Sequence, residues 1–260
     1  GITTLNNAAV EPEIKDLIDL LQKMGAIISV EPNRVIVIEG VEKLHGYEHR
    51  ALFDRNEAAS WASAALATLV TVDCPSAVGG AKQQELMTFL NIFRKAGGAF
   101  DIHEDGIRFY HPGTPLKPVM VETDVHPGFM TDWQQPLIVA LTKAEGRSVV
   151  HETVYENRFG FTDALIKMGA HIVVHKDGLE SISRRVPRRP LEQAAVITGP
   201  TKLHGAEIEI PDLRGGFSHL IAALTAEGQS TVTNVGIISR GYEHFIEKLE
   251  ALGADFVYEG

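Results

Sequence analysis

The stretch HPGFMTDWQQP, residues 126–136, sets a single carboxylate, Asp132, among Phe129, Met130, Trp133 and Pro136. A carboxylate there can take a proton from a substrate hydroxyl, or it can cap the buried helix that LIVALTKA predicts just after it. Pro136 fits the first turn of that helix, where a missing N–H breaks no hydrogen bond. On this stretch alone the cap is the plainer reading, and both stay open. The other chemistry-bearing residues exclude more than they offer. Cys74 is the only cysteine, so an intrachain disulfide and a multi-cysteine metal site are ruled out; its setting in VTVDCPS predicts an inert, buried thiol entering a strand. The eleven histidines lack HExxH or similar ligand spacing, and neither metal nor cofactor is expected. SRRVPRRPLEQ, residues 183–193, carries four Arg and two Pro and reads as a solvated loop, with anion or partner binding as the alternative.

Positioning any of these residues falls to a repeated element. KMGAIISV (23–30), KAGGAFDI (95–102), KMGAHIVV (167–174) and EALGADFVY (250–258) each close an amphipathic helix with a Gly-Ala pair and lead into a short strand. The closing glycines read as Gly25, Gly98, Gly169 and Gly253, spaced 73, 71 and 84 residues apart, at a place where positive φ is common. A second helix precedes the last three copies, starting from Asp54, Asp132 and Asp212, 78 and 80 residues apart. Capping explains the shared acid economically. Strand-like stretches such as RSVVHET and QSTVTNV alternate with the helices, which predicts α/β layers. The first copy starts at its second half, so the reading predicts that residue 1 is not the start of the working protein. With 260 residues, 44% hydrophobic and 22% charged, the chain can hold one large or two medium domains. A net charge of −10 argues against general nucleic-acid binding but leaves room for an anionic small substrate beside a local arginine cluster. No apolar run reaches the roughly 18 residues a membrane span needs, so neither nucleic acid nor membrane is an expected partner and a cytoplasmic setting is.

HPGFMTDWQQP, TVYENRF (153–159), PDLRGG (211–216) and SRGYEHFIEKLEALGAD (239–255) together resemble the C-terminal part of the enolpyruvyl transferase family, in its UDP-N-acetylglucosamine carboxyvinyltransferase branch. GITTLNNAAVEPEI and GVEKLHG…DRNEA extend the likeness over nearly the whole chain. The resemblance implies an inside-out α/β barrel of six βαβαββ units in two domains, about three and a half of them present here. Residues 1–50 would be the tail of the first domain and 51–260 most of the second. It implies transfer of the enolpyruvyl group of phosphoenolpyruvate to the 3-hydroxyl of UDP-N-acetylglucosamine with release of phosphate, the first committed step of peptidoglycan synthesis. By the same likeness Asp132 would be the base for the sugar hydroxyl, and the main chain of Val154 would touch the nucleotide-sugar. Arg158 and Arg240, each expected at the start of a repeat's second helix, would face the reacting centre and the enolpyruvate, since guanidinium forks match phosphate and carboxylate. Asp212 and Leu213 would lie near the reacting atoms, with capping an equal reading for Asp212; Glu11 and Glu13 would serve their helix. Met130, Trp133 and Pro136 depart from the family's pattern beside the base, which either narrows the sugar pocket or merely repacks it. The family's acid belongs to a first-domain lid that Cys74 does not match, so this chain alone should hold half a site and would need its missing N-terminal domain. Two other readings remain: a noncatalytic half-fold that binds a partner, and a transferase with a different acceptor.

Overall fold

The computed structural model describes residues 1–75, 83–104, 106–176 and 193–259. Two compact units divide the chain, Gly1–Phe53 and Asp54–Gly260. In the first, β1 (Ile2–Leu5), β2 (Ile27–Glu31) and β3 (Val35–Glu39) form an antiparallel sheet in the order β1-β3-β2. Helix α1 (Pro12–Lys23) opens with Pro12 in its first turn, where the absent N–H has no helical partner to lose. Its apolar stripe packs through Ile14, Ile18 and Leu21 against Ile28 and Ile36 of the sheet.

The second unit turns its helices inward. Three of them, α2 (Arg55–Thr68), α4 (Thr131–Leu141) and α6 (Leu213–Thr225), pack against one another. Helix α2 reads RNEAASWASAALAT and is buried from Ala58 to Ala67, because Ala and Ser let neighbouring helices approach closely. The hydroxyls of Ser60, Ser63 and Thr68 satisfy themselves on carbonyls one turn back. Helix α4 is buried from Trp133 to Leu141, so it too has no solvent face.

Sheets and the shorter helices surround these three. Strands β4 (Val72–Pro75), β5 (Ala99–His103) and β6 (Gly106–Tyr110) pair antiparallel in the order β4-β6-β5, with α3 (Gln83–Lys95) between β4 and β5 in the chain. Next, β7 (Met120–Glu122), β8 (Gly146–Glu152), β9 (His171–His175) and β10 (Gln193–Gly199) make a mixed sheet in the order β7-β8-β10-β9. With α4 and α5 (Thr162–Lys167) this second repeat is a complete βαβαββ unit. The third repeat has β11 (Glu207–Glu209) parallel to β12 (Thr231–Thr233), then a 3₁₀ turn at Val235–Arg240 and α7 (Phe245–Ala251). No helix among the described residues is long and apolar enough to cross a membrane, and no group of three or more His, Cys, Asp or Glu among them could hold a metal ion. Cys74 takes its place in β4 opposite Ile107, but its thiol lies outside the described side chains, as residues 183–192 of the basic segment lie outside the described residues.

Several sequence expectations are corrected here. The positive φ in the second copy belongs to Gly97 (+106°), not Gly98, which restores equal 72-residue steps from Gly25 to Gly97 to Gly169. Gly98 answers to a different demand: a Cβ there would stand 2.3 Å from Phe93 Cε1. The strand expected after Gly253 does not form, since residues 254–259 find no strand to pair with among the described residues. Pro136 is not in the first turn of α4 but is its sixth residue, buried within the helix.

Gly169 and Gly253 separate two costs of adding a methyl group. Both have positive φ, at +99° and +81°, but a Cβ at Gly169 would meet His204 Cδ2 at 3.2 Å while one at Gly253 would meet nothing within 4 Å. Gly253→Ala should lose about 1 kcal/mol from the left-handed backbone alone, and Gly169→Ala more. Urea unfolding of the two variants checks this; equal losses would mean the His204 contact contributes nothing.

Candidate active site

Each of the three central helices brings the same position, the second residue of the helix, to one point: Asn56 on α2, Asp132 on α4 and Arg214 on α6. Asp132 Oδ2 lies 3.4 Å from Asn56 Nδ2 and 3.6 Å from Arg214 Nε. Its other oxygen accepts a short hydrogen bond from Arg158 Nη2. The Asp132 side chain is about a quarter exposed and both arginines less, so the cluster sits at a surface but is largely screened from it.

Asp132 is therefore not a cap. The capping position of α4 is Met130, which makes no side-chain cap bond. Asp54 and Asp212 do cap, Asp54 accepting from the N–H groups of Asn56 and Glu57 and Asp212 from those of Arg214 and Gly215. Aligning the three helices on their aspartates thus misplaced the middle one by two residues. Freed from capping, the Asp132 carboxylate turns to the two guanidinium groups. Pro136 adds a second consequence: it lacks the N–H that would have bonded to the Asp132 carbonyl four residues earlier.

Arg158 and Arg240 do not stand where a second helix begins. Arg158 lies in turns four residues before α5, its guanidinium 5.0 Å from the centre of the Tyr155 ring. Arg240 ends the 3₁₀ turn five residues before α7; it is exposed and makes no ion pair among the described residues. Beside it the chain is fixed. Leu213 Cδ2 would be 2.7 Å from a Cβ on Gly241, and Tyr242 is buried with its ring stacked on Phe217 at 4.3 Å. Leu213 thus touches the Arg240 segment directly. The Val154 N–H donates to Glu152 Oε1 at 2.7 Å, so that main-chain donor is already used. Trp133 and Pro136 are buried: Trp133 packs edge-on against Phe89 and Phe129. These departures from the expected pattern repack the core; only Met130 is partly exposed.

Sequence reasoning missed Asn56, Arg214 and Glu152. Arg214 lies inside the quoted PDLRGG, and its signal was available: counted from Met130 rather than Asp132, the three helices align Asn56, Asp132 and Arg214. Burial, the largest influence on Arg214, works against its charge; Tyr242, Asp132 and Asp54 outweigh it and hold the guanidinium above its ordinary value. Burial likewise raises Tyr242, against the pull of Arg214 and of Ser60, whose Oγ is 2.9 Å from the phenol oxygen. Two buried nitrogens of the cluster, Arg158 Nε and Arg214 Nη1, have no hydrogen-bond partner among the described residues, nor has the buried Asn56 Oδ1. Unmet donors on paired guanidinium groups are suited to an anionic ligand.

Three inward helices ringed by strands and shorter helices in repeated order define a class of fold, and the comparisons agree with that fold. The chain belongs to the family described as EPSP synthase (3-phosphoshikimate 1-carboxyvinyltransferase), whose model matches residues 1–249. It is 49% identical over 255 residues to the UDP-N-acetylglucosamine 1-carboxyvinyltransferase of Protochlamydia amoebophila, covering 98% of this chain and 54% of that protein. With the protein of the same name from Chlamydia trachomatis serovar D it shares 44% over 256 residues, covering 98% and 56%. The chain thus spans about half the length of these relatives. Among solved structures, the enolpyruvyl transferase NikO from Streptomyces tendae superposes with a TM-score of 0.80 at 26% identity, over 98% of this chain and 56% of that one. An EPSP synthase from Acinetobacter baumannii shares the fold, with a TM-score of 0.68 at 20% identity, over 100% and 58%.

His219 on α6 ties the site's frame together, its Nε2–H donating to the Phe161 carbonyl at 3.0 Å, just past the Arg158 turn. Burial lowers its pKa below the ordinary 6.5, with the Phe161 carbonyl and Asp212 opposing. The unfolded chain therefore binds the proton more readily, so the stability His219 contributes is complete above 6.5 and is lost as pH falls toward the folded value. Relative to His219→Gln, which keeps a donor but cannot titrate, the native protein should lose stability as pH falls below 6.5. Denaturant melts of both proteins from pH 7.5 to 5 test this; a constant difference would rule it out.

Proposed function

We propose that this chain supplies the base and part of the anion-binding half of an enolpyruvyl transferase that uses phosphoenolpyruvate and UDP-N-acetylglucosamine. The observation that carries the reading is the convergence of Arg158 and Arg214 on Asp132 with guanidinium nitrogens that have no partner among the described residues. Gly1–Phe53 is then the tail of the first domain, and Asp54–Gly260 most of the second. In this reading Asp132 accepts the proton of the sugar 3-hydroxyl as that oxygen bonds to the enolpyruvyl carbon. Arg158, now engaged with Asp132, turns a free edge to the anionic substrate. The exposed guanidinium of Arg240 reaches the phosphate or carboxylate of phosphoenolpyruvate from a segment anchored by Tyr242. Val154 meets the nucleotide-sugar through its main-chain carbonyl, and Asp212 and Leu213 line the reacting end. The acid that protonates the methylene carbon is assigned to no residue of this chain. The buried positions of Trp133 and Pro136 favour the ordinary acceptor, because neither side chain is available to reshape a sugar pocket.

In the full-length protein, Asp132→Asn should fold normally and lose turnover by about 10² to 10⁴-fold, the usual worth of a positioned base. A phosphate-release assay decides, and near-normal turnover would remove Asp132 from the chemistry. Arg240→Lys keeps the charge but loses the planar fork, so it should damage use of phosphoenolpyruvate more than binding of the nucleotide-sugar. Steady-state kinetics with each substrate varied, together with calorimetric titration of the nucleotide-sugar, separate the two; equal losses would leave Arg240 a general structural role.

A further inference from the structure

Glu152 is a carboxylate with no solvent exposure, at the end of β8, and among the described residues no cation pairs with it. Isolated charges are costly to bury, and this one is held by hydrogen bonds alone. Its Oε1 accepts from the Val154 N–H at 2.7 Å, the Tyr155 N–H at 2.8 Å and the Thr123 hydroxyl at 2.9 Å. Its Oε2 accepts from the Thr131 hydroxyl at 2.7 Å and, by a short bond, from Gln134 Nε2. One oxygen thus holds the turn that carries Arg158, and the other holds the first turn of α4 that carries Asp132. The circuit closes on itself: Tyr155 lies under the Arg158 guanidinium, Arg158 grips Asp132, and Asp132 follows Thr131.

We infer that Glu152 is a positioning residue, acting through Thr131 and the Val154–Tyr155 turn to set Asp132 and Arg158 at a fixed relative placement for reaction. The inference rests on the enolpyruvyl transfer reading. Both oxygens are needed. A glutamine at 152 has one acceptor and one amide, and the amide would point a donor at whichever set of donors it faced. Helix α4 or the arginine turn would then lose its tether while the volume of the core stayed the same. Displacement of a reacting group by about 1 Å is enough to cost on the order of 100-fold in rate without loss of binding.

The test uses the full-length protein. Native protein must first release phosphate from phosphoenolpyruvate in the presence of UDP-N-acetylglucosamine; no turnover would overturn the enzyme reading itself, and this inference with it. Given an active native protein, Glu152→Gln should lower kcat roughly tenfold or more while the KM for the nucleotide-sugar moves by less than about threefold. Thr131→Val, which removes one tether to α4, should shift kcat in the same direction by less. Because both act along one path, the double variant should be no worse than Glu152→Gln by more than about threefold. Calorimetric stoichiometry for the nucleotide-sugar near one per chain would exclude simple loss of folded protein. A kcat within about twofold of native in Glu152→Gln, or a double variant more than about threefold slower than Glu152→Gln, would overturn the positioning role. If Glu152→Gln fails to fold, Thr131→Val decides alone, and an unchanged kcat there overturns the inference equally.

Discussion

Burying three helices against one another in this chain depends on how little α2 offers its neighbours between Ala58 and Ala67 beyond Ala and Ser, Trp61 and Leu66 aside. That close approach sets the rest. It brings three helix N-termini to one end, and the aligned peptide dipoles make that end electropositive before any side chain is counted. Asp54 and Asp212 neutralise part of it as caps. Asp132, two residues further in than a cap, meets that field with a carboxylate free to bond sideways.

The two arginines on Asp132 come from different sources of rigidity. Arg214 stands on α6, buried beside Tyr242, whose phenol is in turn bonded to Ser60 of α2. Arg158 stands on a turn whose main chain is tied to Glu152, a residue that also holds α4. A guanidinium on each support can meet a ligand without first being ordered, so less conformational entropy is lost on binding. Arg240 differs: its neighbours are fixed and its own side chain is exposed.

Much of this was legible in the residues. The Gly-Ala helix ends, the alternation of helix and strand, and the helices following Asp54 and Asp212 were readable because they follow from local patterns. The errors have separate physical causes. A first turn accepts Asp at several positions, so pattern alone could not separate a cap from the residue two places on. Gly97 and Gly98 are adjacent and chemically identical; only the packing of Phe93 and the sign of φ divide their tasks. The strand missing after Gly253 is a nonlocal failure, since a strand needs a partner and an apolar run does not announce one. Arg214 and Glu152 stayed hidden because their importance lies in what other segments bring beside them.

Asn56, Asp132 and Arg214 occupy one helix position in three copies of a repeat, and they are an amide, an anion and a cation. The backbone around that position has accepted all three, so the local fold does not dictate which stands there. Copies of a duplicated segment begin alike, and three like groups around a common axis would present a symmetric face. A ligand whose ends differ in charge can be oriented there only once the copies have diverged. The charge pattern at this position therefore gives the three helix ends a polarity that their shared backbone does not.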